Sequence, residues 1–144
     1  MPPRFTFVTR RTFVPHSAPV WPGAWTLSSD GAAPKGGWTA WRLIGSNNRE
    51  LGRSFSVFDD AEQCLAALER FRASAQSGVP LVSADPRNGS WGWRFDLGNR
   101  PAAASGRSYR RQRECVYNLE KFTEALVTAV VSAPAVAHLK ADAS

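Results

Sequence analysis

The sequence predicts an α+β domain made of two diverged copies of a β-hairpin-plus-helix unit, and three observations carry that expectation. The first is internal self-similarity at a fixed period, the sequence signature of a repeat architecture. Trp41-Arg42-Leu43 is echoed by Trp93-Arg94-Phe95, Asn47 by Asn99, Phe58 by Tyr109, Cys64 by Cys115, Leu68 by Leu119 and Phe71 by Phe122. The last four pairs lie 51 residues apart and the Trp and Asn pairs 52, a difference that one extra residue in a hairpin explains. The second is a change of period within each copy, from strand-like alternation to an apolar stripe at helical spacing. The third is size: 144 residues, 43% hydrophobic and 21% charged, suit one ordinary core.

In the first copy, Trp41 to Ser46 and Glu50 to Ser54 flank Asn47-Asn48-Arg49, and Asn tolerates the positive φ that tight turns demand. Asp59-Asp60-Ala61-Glu62 follows as an N-cap candidate with an acid three positions on. Ala61, Cys64, Leu65, Leu68 and Phe71 then mark one helical face, which predicts a helix from about Asp59 to Gln76. Ser77-Gly78-Val79-Pro80 is the stop signal. The second copy repeats the plan: Trp91 to Leu97, a turn at Asn99-Arg100-Pro101, a strand from Ala102 to Ser105, and a helix carrying Cys115, Leu119, Phe122, Leu126 and Val130 that ends at Pro134. Each helix precedes a Pro-led apolar segment, Pro80 to Asp85 and Pro134 to His138, expected to be a closing strand. Residues 1–37 fit neither copy. They are expected to hold one edge strand, with Phe5 to Val8 and Thr12 to Val14 strand-like in composition, and then an irregular linker broken by Pro15, Pro19 and Pro22, partial disorder being an equal alternative. The expected organisation is thus an extension, 1–37, and a single domain, 38–144, containing repeats 38–85 and 88–138.

The shared frame is an aromatic residue, Arg and an apolar residue, then Asn, a strand and an aromatic, with Cys, Leu and Phe following at fixed steps. It resembles the YegP-like family of small tandem-repeat proteins, whose function is uncharacterised. The resemblance covers Trp38 to Ala133. It implies a single, mostly antiparallel sheet drawn from both repeats, both helices on one face, and C-terminal strands exchanged between repeats. This chain departs from the family pattern in having Asn47-Asn48 where Asn-Gly is usual, in its N-terminal extension, and in its wealth of Arg and Trp.

Charge points to partners. Lys plus Arg number 18 against 12 acids, a net +6, and Arg is the large majority, which favours forked contacts with phosphate or carboxylate. GC-rich coding DNA is an equally good explanation of that composition. The two cysteines lack the spacing of a disulfide framework or zinc site and match each other on the two helices, so both are expected to be reduced, buried core residues. No apolar run is long enough to span a bilayer and arginines interrupt the first residues, so the expected address is the cytoplasm.

No catalytic constellation is legible. General acid-base work needs a base beside its partner, and the only histidines, His16 and His138, stand outside any motif. No phosphate-binding loop, nucleophile elbow or metal-spaced cluster is present, so no enzyme activity, metal or other cofactor is expected. Trp91 and Trp93 share one strand face, which is expected to be the core face. Arg42 and Arg94 then point to the open face, with Trp38 at its margin, as a platform for bases or a partner protein.

The densest basic feature is Arg100, Arg107, Arg110, Arg111 and Arg113, spanning the second hairpin and the start of the second helix, with Arg4, Arg10 and Arg11 available to extend it. Cations at a helix N-terminus oppose the macrodipole, whereas the first helix has Asp59, Asp60 and Glu62 there. The contrast suggests an anion-binding copy; a solvated Arg-rich turn is the plainer alternative. The expected function is a non-enzymatic module that contacts RNA or DNA phosphates through Arg42, Arg94, Arg100, Arg107, Arg110, Arg111 and Arg113. The alternative is a protein-interaction or structural module, a homodimer or partner-binding domain without nucleic-acid affinity. Nucleic acid, a second copy or another protein are the expected partners, and a membrane is not.

Overall fold

The computed structural model describes residues 2–10 and 38–131 of the chain. One sheet contains β1 (Arg4–Arg10), β2 (Trp38–Ile44), β3 (Glu50–Ser54), β4 (Val79–Ala84), β5 (Trp91–Leu97), β6 (Arg100–Ala104) and β7 (Val130–Val131). Two helices, α1 (Ala61–Ser74) and α2 (Gln112–Thr128), cover one face, making the fold α+β. Strand order is β4-β5-β6-β3-β2-β1-β7, antiparallel throughout except for the short parallel pairing of β1 with β7.

Local chemistry explains the elements. Asp60 caps α1 by accepting a 2.8 Å bond from the Gln63 amide, so the helix starts at Ala61, two residues later than expected. Its last turn tightens into a 3₁₀ segment, Ala75–Ser77, from which β4 leaves directly. The second hairpin turn is Gly98-Asn99, where φ values of 58° and 68° give the doubly left-handed geometry that matches strand twist. Arg100 and Pro101 therefore belong to β6 and not to the turn. In the first turn the left-handed residue is Asn48, with φ 66°, rather than Asn47. Both hairpins carry a register shift, at Leu43/Ile44 and at Phe95/Asp96.

Three further expectations are corrected. β1 runs seven residues against β2 and buries Phe5 fully, and at Arg4 and Phe5 it is flanked by β7 as well, so its start is not an edge. Helix α2 stops at Thr128, well before Pro134. Val130 lies in β7, half exposed, and is no part of the helical stripe. The proposed Thr12 to Val14 strand, the linker, Arg11, His16, Pro134 to His138 and His138 itself fall outside the described residues.

The core is an aromatic stack between sheet and helices. Trp41 packs face to face on Phe71 of α1 at 5.7 Å and on Phe122 of α2 at 6.4 Å, and Phe5 meets its edge at 5.5 Å. Trp93 lies 4.6 Å from Phe122. Trp41 and Trp93 therefore face the helices, and Arg42 and Arg94 the open side of the sheet. Gly52 admits this stack: a Cβ there would stand 2.7 Å from the Phe122 ring and 2.8 Å from that of Trp93.

Cys64 and Cys115 are fully buried and free. Burial raises both thiols, Cys115 to about 11 from an ordinary 9.0, and Cys64 further still with Asp60 adding to the effect. Neither thiol should react with a chromogenic disulfide at pH 8 until denaturant is added, after which both should; rapid reaction of the native protein would refute the burial. Because the folded thiols hold their protons more tightly than unfolded ones, their contribution to stability is complete below about pH 9 and declines as pH climbs through 11. Equilibrium unfolding in urea over that range checks the sign.

Candidate functional site

The antiparallel pairing of β3 with β6 brings the first hairpin turn beside the segment leading into α2. Between them lies a groove of about 1180 Å³, lined on one side by the 45–51 turn and on the other by the exposed face of α2. Arg113, Tyr117 and Lys121 follow one another at four-residue steps, the spacing that places side chains in line along a helix. Tyr117 is 61% exposed, with the Lys121 ammonium 5.3 Å from its ring centre. Arg107 enters from the β6–α2 connection, its guanidinium 5.1 Å from the ring of Tyr109, and Arg49 lines the opposite wall. Burial raises the Tyr109 phenol against the pull of Arg107, so this ring remains an uncharged wall at neutral pH. Asn118 ties the helix to the sheet by accepting a 2.5 Å bond from the Trp93 indole.

Two acids of the groove are paired, one with arginines of the open sheet face and one with a cation of the groove itself. Glu50 takes a bidentate pair from Arg53, both contacts at 2.8 Å, with Arg42 at 3.7 Å, while Glu124 pairs with Lys121 at 3.5 Å. Glu114 is exposed in the first turn of α2.

The expected site residues separate into three places. Arg107 and Arg113 line the groove, and Arg110 and Arg111 are exposed immediately before α2. Arg111 occupies the N-cap without a side-chain bond to the helix. Arg100 begins β6 and so sits at the opposite end of that strand. Arg42 and Arg94 lie on the open face, in a row formed by Thr6, Arg42, Arg53, Ala104 and Arg94 across neighbouring strands. Arg94 is bidentate to Asp96 at 2.7 and 3.0 Å, so much of the charge on this face is internally compensated. Arg4 bonds the Asn48 side chain at the hairpin turn. Arg49, Tyr117 and Lys121 were not expected. The Arg113, Tyr117, Lys121 spacing was visible in the sequence, but the position of Arg49 depends on strand pairing.

Among the described residues no cluster of three or more His, Cys, Asp or Glu is arranged to hold a metal ion, and no helix is long and apolar enough to cross a membrane. The site is thus an aromatic groove lined by four cations, Arg49, Arg107, Arg113 and Lys121, and three acids, Glu50, Glu114 and Glu124, at the edge of an α+β fold with a single mixed sheet. That fold is shared with a protein of unknown function, yegP from E. coli, known from a solution NMR structure. The TM-score is 0.56 at 12% sequence identity, covering 78% of this chain and 94% of that one. No family model matches the sequence, and no curated protein matches it.

Proposed function

We propose that the chain is a non-enzymatic, cytoplasmic binding module of two diverged repeats whose groove holds single-stranded RNA or DNA, mainly by its phosphates. The observation that carries this reading is the alignment of Arg113, Tyr117 and Lys121 opposite Arg49 and Arg107: cations to follow a phosphate backbone, with an exposed ring on which a base can stack. The start of α2 adds support. Three arginines and an uncapped first turn disfavour the helix, and a bound anion would relieve both problems.

Duplication is supported by matched details. The Trp41 amide donates to Ser54 Oγ at 3.3 Å and the Trp93 amide to Ser105 Oγ at 3.2 Å. The isolated bridges Thr39–Phe58 and Trp91–Tyr109 correspond in the same way. In this scheme β4 joins the first strand of the other copy, β5, but the reciprocal exchange expected of the C-terminal strand does not occur among the described residues: β1 stands between β2 and β7.

Fluorescence anisotropy with labelled single- and double-stranded oligonucleotides at about 50 and 200 mM salt tests the proposal. Single strands should bind at micromolar or tighter affinity, weakening with salt. Tyr117→Ala should cost about 1–3 kcal/mol, and combined Arg107→Glu, Arg113→Glu and Lys121→Glu should abolish binding. Arg94→Gln, on the other face, should leave it unchanged. Arg111→Asp should lower affinity while stabilising the fold by about 1 kcal/mol through a proper cap. No binding at low salt refutes the reading.

A further inference from the structure

We propose that β4 is the contact strand of a symmetric homodimer, pairing antiparallel with β4 of a second copy about an axis at Val82. Among the described residues no strand lies beyond β4; at the other end of the sheet the two-residue β7 covers only Arg4 and Phe5 of β1. A six-residue edge without a bulge or a charged side chain, Val-Pro-Leu-Val-Ser-Ala, is the kind that pairs with another chain. Val79 and Leu81 project from it 55% and 40% exposed.

The direction of its backbone groups selects the partner. The Asp85 amide donates inward to the Ser90 carbonyl at 2.7 Å, and Trp91 and Trp93 direct their bonds away from β4, to Tyr109 and Ser105. By strand alternation, Ser83, Leu81 and Val79 bond to β5, while Pro80, Val82 and Ala84 face outward. Pro80 lacks an N–H, so among the described residues the outward donors without a partner are the amides of Val82 and Ala84. With a second copy centred on Val82, each Val82 amide meets the other Val82 carbonyl, and each Ala84 amide meets the Pro80 carbonyl, which needs no donor beside it. Every outward N–H is satisfied, and the acceptor left over, the Ala84 carbonyl, is the less costly group to leave to solvent. Side chains agree with this register. Val82 faces its symmetry mate on the helix side, with Pro80 beside Ala84, and the two Leu81 side chains meet diagonally on the open side.

Light scattering coupled to size exclusion should show the full chain passing from monomer to dimer as its concentration rises to about 100 μM. Ala84→Pro removes an outward donor without touching the bonds to β5 and should return it to monomer, as should Leu81→Lys. Register is tested by oxidation. Val82→Cys places two thiols on Cα atoms about 5.5 Å apart, within disulfide range, and should crosslink readily, whereas Ala84→Cys should not. The native cysteines are buried and do not compete. A monomer at every concentration overturns the proposal, as does equal crosslinking of the two variants or a dimer indifferent to Ala84→Pro.

Discussion

Replacing Phe122 with Ala should lower the stability of the protein by about 3–5 kcal/mol, a large fraction of the 5–15 kcal/mol typical of a domain. Phe122 is fully buried and its ring contacts those of Trp41, Trp93 and Phe71, so its loss removes the piece that joins both tryptophans to both helices. Urea denaturation should give a lower midpoint with an unchanged slope. Gly52 offers an independent check. Gly52→Ala alone should destabilise by about 1–3 kcal/mol, because its methyl would press on the Phe122 and Trp93 rings. In the Phe122→Ala background the same methyl would occupy vacated space, so the double variant should be more stable than the sum of single effects predicts. Strict additivity would mean that the two sites do not share a contact.

The second large effect is expected at Arg72, which links elements far apart in the chain. Its guanidinium, carried by α1, donates to the carbonyls at the end of α2: Leu126 at 3.3 Å, Val127 at 3.4 Å and Ala129 at 2.8 Å. It also lies 5.1 Å from the ring centre of Phe5 in β1. A cation at a helix C-terminus answers the carbonyls and the negative end of the dipole together. Arg72→Met, which keeps the apolar stem, should cost about 2–3 kcal/mol, and Arg72→Lys should recover part of that because one ammonium cannot serve several carbonyls in the plane of a fork. A thermal shift for Arg72→Met within the range of ordinary surface substitutions would show that these contacts contribute little.

Much of the fold was legible because its signals are local. The apolar positions Cys64, Leu68 and Phe71, and Cys115, Phe122 and Leu126, marked the buried faces of the two helices. The acidic run at Asp60 marked a helix start, and the strand expected over Pro80 to Asp85 lies one residue earlier, at Val79–Ala84. Errors fell at boundaries and turns. Gly98 is the first left-handed residue of a two-residue turn, which places Arg100 and Pro101 in β6 and not in the turn. Val130 satisfied a helical spacing although the chain had already left α2 to pair with β1.

The candidate site was legible in part, and for the same reason. Arg107 and Arg113 stood out as neighbours in a basic run, whereas Arg49 reaches the groove only through the contact of β3 with β6, and Arg72 reaches α2 across 54 residues or more. Arg42 and Arg94 were placed on the open face by alternation alone, but their pairing with Glu50 and Asp96 required the folded hairpins. Periodicities of two and of 3.6 residues by themselves determined which segments are strands and helices and which sides they bury, since backbone geometry ties those patterns to a face. Only the tertiary structure decided that β1 lies between β2 and β7, that β4 is the outermost strand among the described residues, and which charges share a surface. Those outcomes depend on which edges close over long loops, a competition between distant segments that no local pattern records.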